Sequence, residues 1–227
     1  MAEHLGYAPA GAGPAPAEAT DASRRRAAVR RARWLNLATI GWNSVEGVVA
    51  VAAGLAAGSV SLVGFGADSA IEVSAALILA WRLRQERNDD CTQPADALAT
   101  RAIAVSFAAL AAYVGAQAVA DLASGAEPEA SIPGLVLAAL SLVVMPFLAR
   151  AKRRLAPVLG SAAAVADAKQ TDLCAVLSGI VLAGVGANAL FDWWWADPLA
   201  GLGISVVAAV EAVRIWHSES LADTCCG

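Results

Sequence analysis

Two acids dominate the chemistry available to this chain. Asp68 and Glu72 lie within SVSLVGFGADSAIEVSAALILAWRL, a stretch running from Ser59 to Leu83 that is otherwise almost wholly apolar. Their spacing of four places both carboxylates on one helix face, one turn above the other. A bilayer crossing takes about 20 apolar residues, so the stretch is long enough to span and the acids fall near its middle. An ionised carboxylate at that depth costs at least ~2.5 kcal/mol, which makes it a candidate for metal or proton handling. The plainer alternative is a structural pair, hydrogen-bonded to neighbouring helices.

A partner face is present further along. In GSAAAVADAKQTDLCAVLSG, the residues Asp167, Gln170, Thr171 and Cys174 share one helix face. Its Gly/Ala-rich surroundings permit close helix approach. Lys169 and Asp172 point to the opposite side, and their (i, i+3) spacing predicts an internal ion pair. If the two spans run antiparallel, Glu72 and Cys174 lie roughly 18 and 22 Å from the same end. Two carboxylates with one or two donors from the second helix make a three- or four-ligand site for a divalent ion. On the first span, Asn36, Asn43 and Glu46 form a stripe continued by Gly47, Ala50 and Gly54. Glu46 is read as a hydrogen-bond partner that orients Asp68, with ligand and proton carrier as alternatives. Tyr113, Gln117 and Asp121 of the third span are read as inter-helix hydrogen-bonding groups.

The elements that must hold these residues follow from hydropathy. With 58% hydrophobic and 16% charged residues in 227, the chain has the material for several spans and little for a soluble domain. Spans are predicted at about 34–57, 60–83, 97–122, 132–149, 165–190 and 194–216. Arginines precede the first. Arg82, Arg84 and Arg87 follow the second, Arg101 opens the third, and Arg150, Lys152, Arg153 and Arg154 follow the fourth. The connections around Gly58, Gly125 and Trp193 carry no Lys or Arg. The positive-inside rule then predicts an all-α polytopic integral membrane protein with six transmembrane helices and both termini cytoplasmic, in the cell membrane. Residues 1–23 read as a disordered Ala/Pro/Gly-rich tail, 24–217 as the transmembrane domain and 218–227 as a short cytoplasmic tail.

The remaining features are weaker. Asp121, Glu127, Glu129, Asp192 and Asp197 read as solvated acids of the outer connections. Cys91, Cys174, Cys225 and Cys226 have neither zinc-finger nor CxxC spacing and are expected as thiols. Asp89, Asp90 and Cys91, and the end of the chain (His217, Glu219, Asp223, Cys225, Cys226), are metal-capable but read by default as a solvated loop and an unstructured tail. No phosphate loop, nucleophile elbow or HExxH is present, so the expectation is no enzyme and no cofactor. The arginines follow the membrane edges, so no nucleic-acid partner is expected.

The motifs resemble those of the cation diffusion facilitator family of divalent-metal transporters. GSVSLVGFGADSAIE is similar to that family's second-span signature, with Asp68 and Glu72 on its two metal-binding positions. VADAKQTDLC resembles the segment in which an Ala-Asp pair precedes a His-three-Asp motif, and WWWADPLAGLGIS resembles the sixth-span start. Aligned on Ala166 and Asp167, the family's histidine becomes Gln170 and its aspartate Cys174. The resemblance implies a six-helix exporter of Zn²⁺ or a related divalent metal ion, exchanging it for protons, usually as a homodimer. About ten residues follow Trp216, where the family usually carries a cytoplasmic sensing domain. The expected metal site is Asp68, Glu72, Asp167, Gln170 and Cys174. The alternative function is a non-transporting membrane sensor or partner subunit that binds metal.

Overall fold

The computed structural model describes residues 16–85, 93–159 and 162–222. They form six helices: α1 (Pro16–Ala57), α2 (Val60–Gln85), α3 (Gln93–Ser124), α4 (Ile132–Leu159), α5 (Ala162–Phe191) and α6 (Ala196–Ala222). Each is long and apolar enough to cross a membrane. Large apolar side chains such as Val48, Leu55, Phe147, Val176 and Val206 are exposed around the outside, a surface suited to lipid rather than water. The chain is an all-α integral membrane protein.

The helices extend further than hydropathy alone predicts. α1 starts at Pro16, inside the stretch read as a disordered tail. Proline suits a first helical turn, and the Ala- and Arg-rich run after it contains strong helix formers. Residues 1–15 lie outside the described residues. α4 continues ten residues past Ala149, because an amphipathic basic segment can stay helical beyond the hydrocarbon. There Ala156 and Leu159 meet Ala28 of α1 and Ala164 of α5 in a small separate apolar cluster.

At the other end, left-handed residues stop the helices. Gly58 and Gly125, both at φ 66°, end α1 and α3, and Asp192 at φ 55° ends α5. The amides of Ser59 and Ala126 bond back to the carbonyls of Gly54 and Asp121 at 2.9 and 3.0 Å, closing each turn. Ser59 then caps α2 through the Leu62 amide at 3.2 Å, and Ser131 caps α4 through the Gly134 amide at 3.2 Å. α6 begins at Ala196 rather than Trp194, because Trp193 and Trp195 stack in the preceding turn, 5.2 Å between ring centroids. The helices alternate in direction, α1 against α2 (Gly54 by Val63, Gly47 by Gly66) and α5 against α6 (Gly184 by Ala200, Ile180 by Gly203), so α1 begins and α6 finishes at one end of the bundle.

Helix α2 is the most deeply buried span. It packs against α1, α3, α5 and α6, while α4 lies against α1 and α5. Glycine makes the α1–α2 crossing tight. A Cβ on Gly66 would stand 2.7 Å from Val51 Cγ2, 2.9 Å from the Val51 nitrogen and 3.0 Å from the Gly47 carbonyl oxygen. Backbone atoms cannot step aside, so Gly66→Ala should cost about 1–3 kcal/mol of stability. Gly41, with no atom within 4 Å of such a Cβ, is the control. Gly41→Ala should melt in detergent at or slightly above the wild-type temperature, and Gly66→Ala clearly below it.

Candidate metal centre

The acids on α2 are wholly enclosed. Asp68 and Glu72 are both 0% exposed, on a buried side of the helix that also carries Leu62, Phe65, Ser69 and Ala76. Among the described residues, neither oxygen of Asp68 has a hydrogen-bond donor, and neither has Oε2 of Glu72. Glu72 Oε1 accepts from Thr171 Oγ1 at 2.7 Å, so the polar faces of α2 and α5 do meet. On α5, Gln170, Thr171 and Cys174 are buried as their shared face requires. The Cys174 thiol is free, lies against Glu72, and points at Glu46 Oε2 with Sγ 4.0 Å away. Gln170 Nε2 has no hydrogen-bond partner among the described residues.

Asp167 stands apart from that group. Its two oxygens lie 3.0 Å from Lys152 Nζ, in an ion pair that is 5% exposed on each side. The same ammonium donates to Thr171 Oγ1 at 2.8 Å. Thr171 therefore links Lys152 to Glu72, and Asp167 is taken up by a cation of α4 rather than by the acids of α2. Lys152 belongs to a basic run that reads as a topological signal, yet it lies on the inward stripe of α4 with Ser141, Met145, Ala149 and Ala156. Steps of three and four from Ser141 are the signal that distinguishes it from Arg150, Arg153 and Arg154, which are exposed.

Other expectations also shift. Asp172 pairs with Arg153 Nη1 at 2.8 Å instead of Lys169, because α4 runs alongside α5 and brings a guanidinium within reach. Such an exposed pair contributes little. Gln117 donates to Asp121 within α3 at 2.8 Å and Tyr113 faces outward, so this trio knits no helices together. Asp197 is not a solvated loop acid. It is 1% exposed, and its Oδ1 accepts from Ser59 Oγ at 2.6 Å and from Ser61 Oγ. The SVS start of α2 and the ADP start of α6 are thus clamped together. His217 is exposed; residues 88–91, Asp223, Cys225 and Cys226 lie outside the described residues.

Glu46 has a different set of partners from the one expected. It is 0% exposed on the α1 stripe of Thr39, Asn43 and Ala50. One oxygen, Oε1, accepts from Ser141 Oγ of α4, and Ser141 in turn accepts from Trp42 Nε1 at 3.2 Å. It does not hydrogen-bond to Asp68, although the charges of Glu72 and Glu46 both bear on that residue. The helix register explains this. Gly47 packs beside Gly66 and Ser69, which puts Glu46 level with Asp68, while Asn36 Nδ2 donates to the Ala76 carbonyl at 2.8 Å further along.

The site is layered along the bundle. Lys152 and Asp167 lie nearest the end that carries the termini, then Glu72 with Thr171, then Asp68 level with Glu46 and Cys174. Among the described residues, no three Asp, Glu, Cys or His side chains are already drawn into metal-holding geometry. What is present is a set of hard and soft donors within a buried space, several with nothing yet to bind.

The sequence model described as the cation efflux transmembrane domain matches residues 37–221. A search among curated proteins finds no match.

Proposed function

The chain belongs to the cation efflux family, a family of metal-cation transporters, and from that premise we propose that it exports a divalent, Zn²⁺-like ion in exchange for protons. The observation that carries this reading is Asp68, a fully buried carboxylate whose two oxygens have no donor. Such a group is stable in a membrane interior only while it holds a cation or a proton. The two are interchangeable at the same oxygens, and that is the chemical basis of exchange.

Asp68 and Glu72 are the principal ligands, and Cys174 supplies a sulfur. Gln170 can turn its amide to offer the carbonyl oxygen. Thiolate with carboxylates suits Zn²⁺ or Cd²⁺ better than Mg²⁺ or Ca²⁺. Asp167, held by Lys152, is a gate residue rather than a ligand. Their ion pair closes the flank of the site toward the termini, which we assign to the cytoplasmic side from the arginine distribution. Opening that flank admits the ion; closing it and opening the opposite end, with protons arriving at the carboxylates, releases it. The chain acts in the cell membrane, as a homodimer.

Reconstituted vesicles test the reading. Wild-type protein should carry Zn²⁺ across the bilayer with opposite movement of protons, and Asp68→Asn combined with Glu72→Gln should abolish the flux. Flux undiminished in the double variant overturns the site assignment. Wild-type protein that binds Zn²⁺ without moving it is a sensor or partner subunit instead.

A further inference from the structure

We propose that Glu46 is a ligand of the transported ion, so that the site draws on three helices, α1, α2 and α5. This rests on the function proposed above and adds a third carboxylate to it. Four observations support it. Glu46 is completely buried and level with Asp68, its charge bearing on Asp68 and on Cys174. Its two oxygens are differently employed: Oε1 is held by the Ser141 hydroxyl, while Oε2 faces the Cys174 thiol, 4.0 Å away, and the Ser69 side chain also lies close to the carboxylate. Behind Oε1 stands a relay, Trp42 to Ser141 to Glu46, of the kind that orients a ligand from outside its coordination shell. Finally, Asp68, buried beside it, has two empty oxygens that no protein donor fills.

Charge points the same way. Lys152 serves Asp167 and, through Thr171, Glu72. No hydrogen bond or ion pair from a Lys or Arg reaches Glu46 or Asp68 among the described residues. A relay that only knitted α1 to α4 would employ both carboxylate oxygens or use a neutral residue. Here one oxygen is anchored and the other is turned toward the sulfur on α5. Where Gln170 is a weak neutral donor, Glu46 restores a strong anionic one from another helix.

Binding to the purified full chain in detergent decides the matter, with Zn²⁺ affinity measured by competition against a chromophoric chelator. Glu46→Gln should weaken Zn²⁺ about 100-fold, and Ser141→Ala, which frees the carboxylate without removing it, about tenfold. Bound Co²⁺ should show a thiolate charge-transfer band that Cys174→Ser abolishes and Glu46→Gln shifts. Unchanged Zn²⁺ affinity in Glu46→Gln overturns the inference. If that variant does not fold, Glu46→Asp and Ser141→Ala carry the test, and unchanged affinity in both overturns it equally. Loss of binding in Asp68→Asn with none in Glu46→Gln removes only Glu46 from the site. Full binding in Asp68→Asn removes the site itself.

Discussion

Asp68→Asn should make the ion-free protein more stable and leave it unable to gain stability from metal. Both oxygens of Asp68 are buried without a donor, so the native fold carries a carboxylate it does not solvate. A neutral amide of the same shape removes a charge-burial cost of at least ~2.5 kcal/mol. Part of that returns, since Asn also needs partners; a gain of ~1–2 kcal/mol is expected. For a chain of this size each kcal/mol moves the melting point by about 2–4 °C. Wild-type protein at 100 times its Kd for Zn²⁺ should in turn gain about 2.7 kcal/mol, a shift that Asp68→Asn forfeits. Thermal melts with and without Zn²⁺ measure both effects. An ion-free Asp68→Asn protein that melts well below wild type would mean that Asp68 stabilises the fold and is not held ready for an ion.

Lys152→Met should have the opposite character. It removes the cation from a buried pair whose partner, Asp167, is equally enclosed. Breaking such a pair from one side costs about 3–5 kcal/mol, because the remaining charge is left uncompensated. The variant should express poorly or melt far below wild type. Adding Asp167→Asn should recover most of the loss, since a neutral pair needs no counter-charge. The coupling in that double-mutant cycle, read from detergent melts, tells an ion pair from mere packing. Independent, additive effects of the two substitutions would refute the pairing. Lys152→Met should also disturb Glu72, whose hydrogen bond to Thr171 is backed by the same ammonium.

These predictions show how unevenly the site can be read from residues alone. The acid pair was legible because burial cost and helical spacing are properties of one segment. The α5 face was legible for the same reason, and Thr171 indeed reaches Glu72. Asp167 read as a ligand because it shares that face, but a face does not say which neighbour it meets. Lys152 of α4 meets it first. Asp197 looked like a loop acid because it begins a helix at a membrane edge. Only the approach of α6 to α2 turns it inward onto two serines. Lys169 and Asp172 were matched by proximity in sequence, and Arg153 on an adjacent helix provides better reach.

By itself, then, the sequence determined the number of spans, their order, and the placing of Asp68 and Glu72 on one face of the second. Hydropathy and helical period are set residue by residue along one strand of chain. The family match over residues 37–221 rests on those same linear patterns. The tertiary structure alone decided the partners: Ser141 and Cys174 for Glu46, Lys152 for Asp167, Thr171 for Glu72, and nothing for Asp68. The physical reason is that a buried polar group takes whichever donor the packing of helices brings within about 3 Å. Which helices pack is settled by glycine contacts and side-chain shapes far apart in the chain.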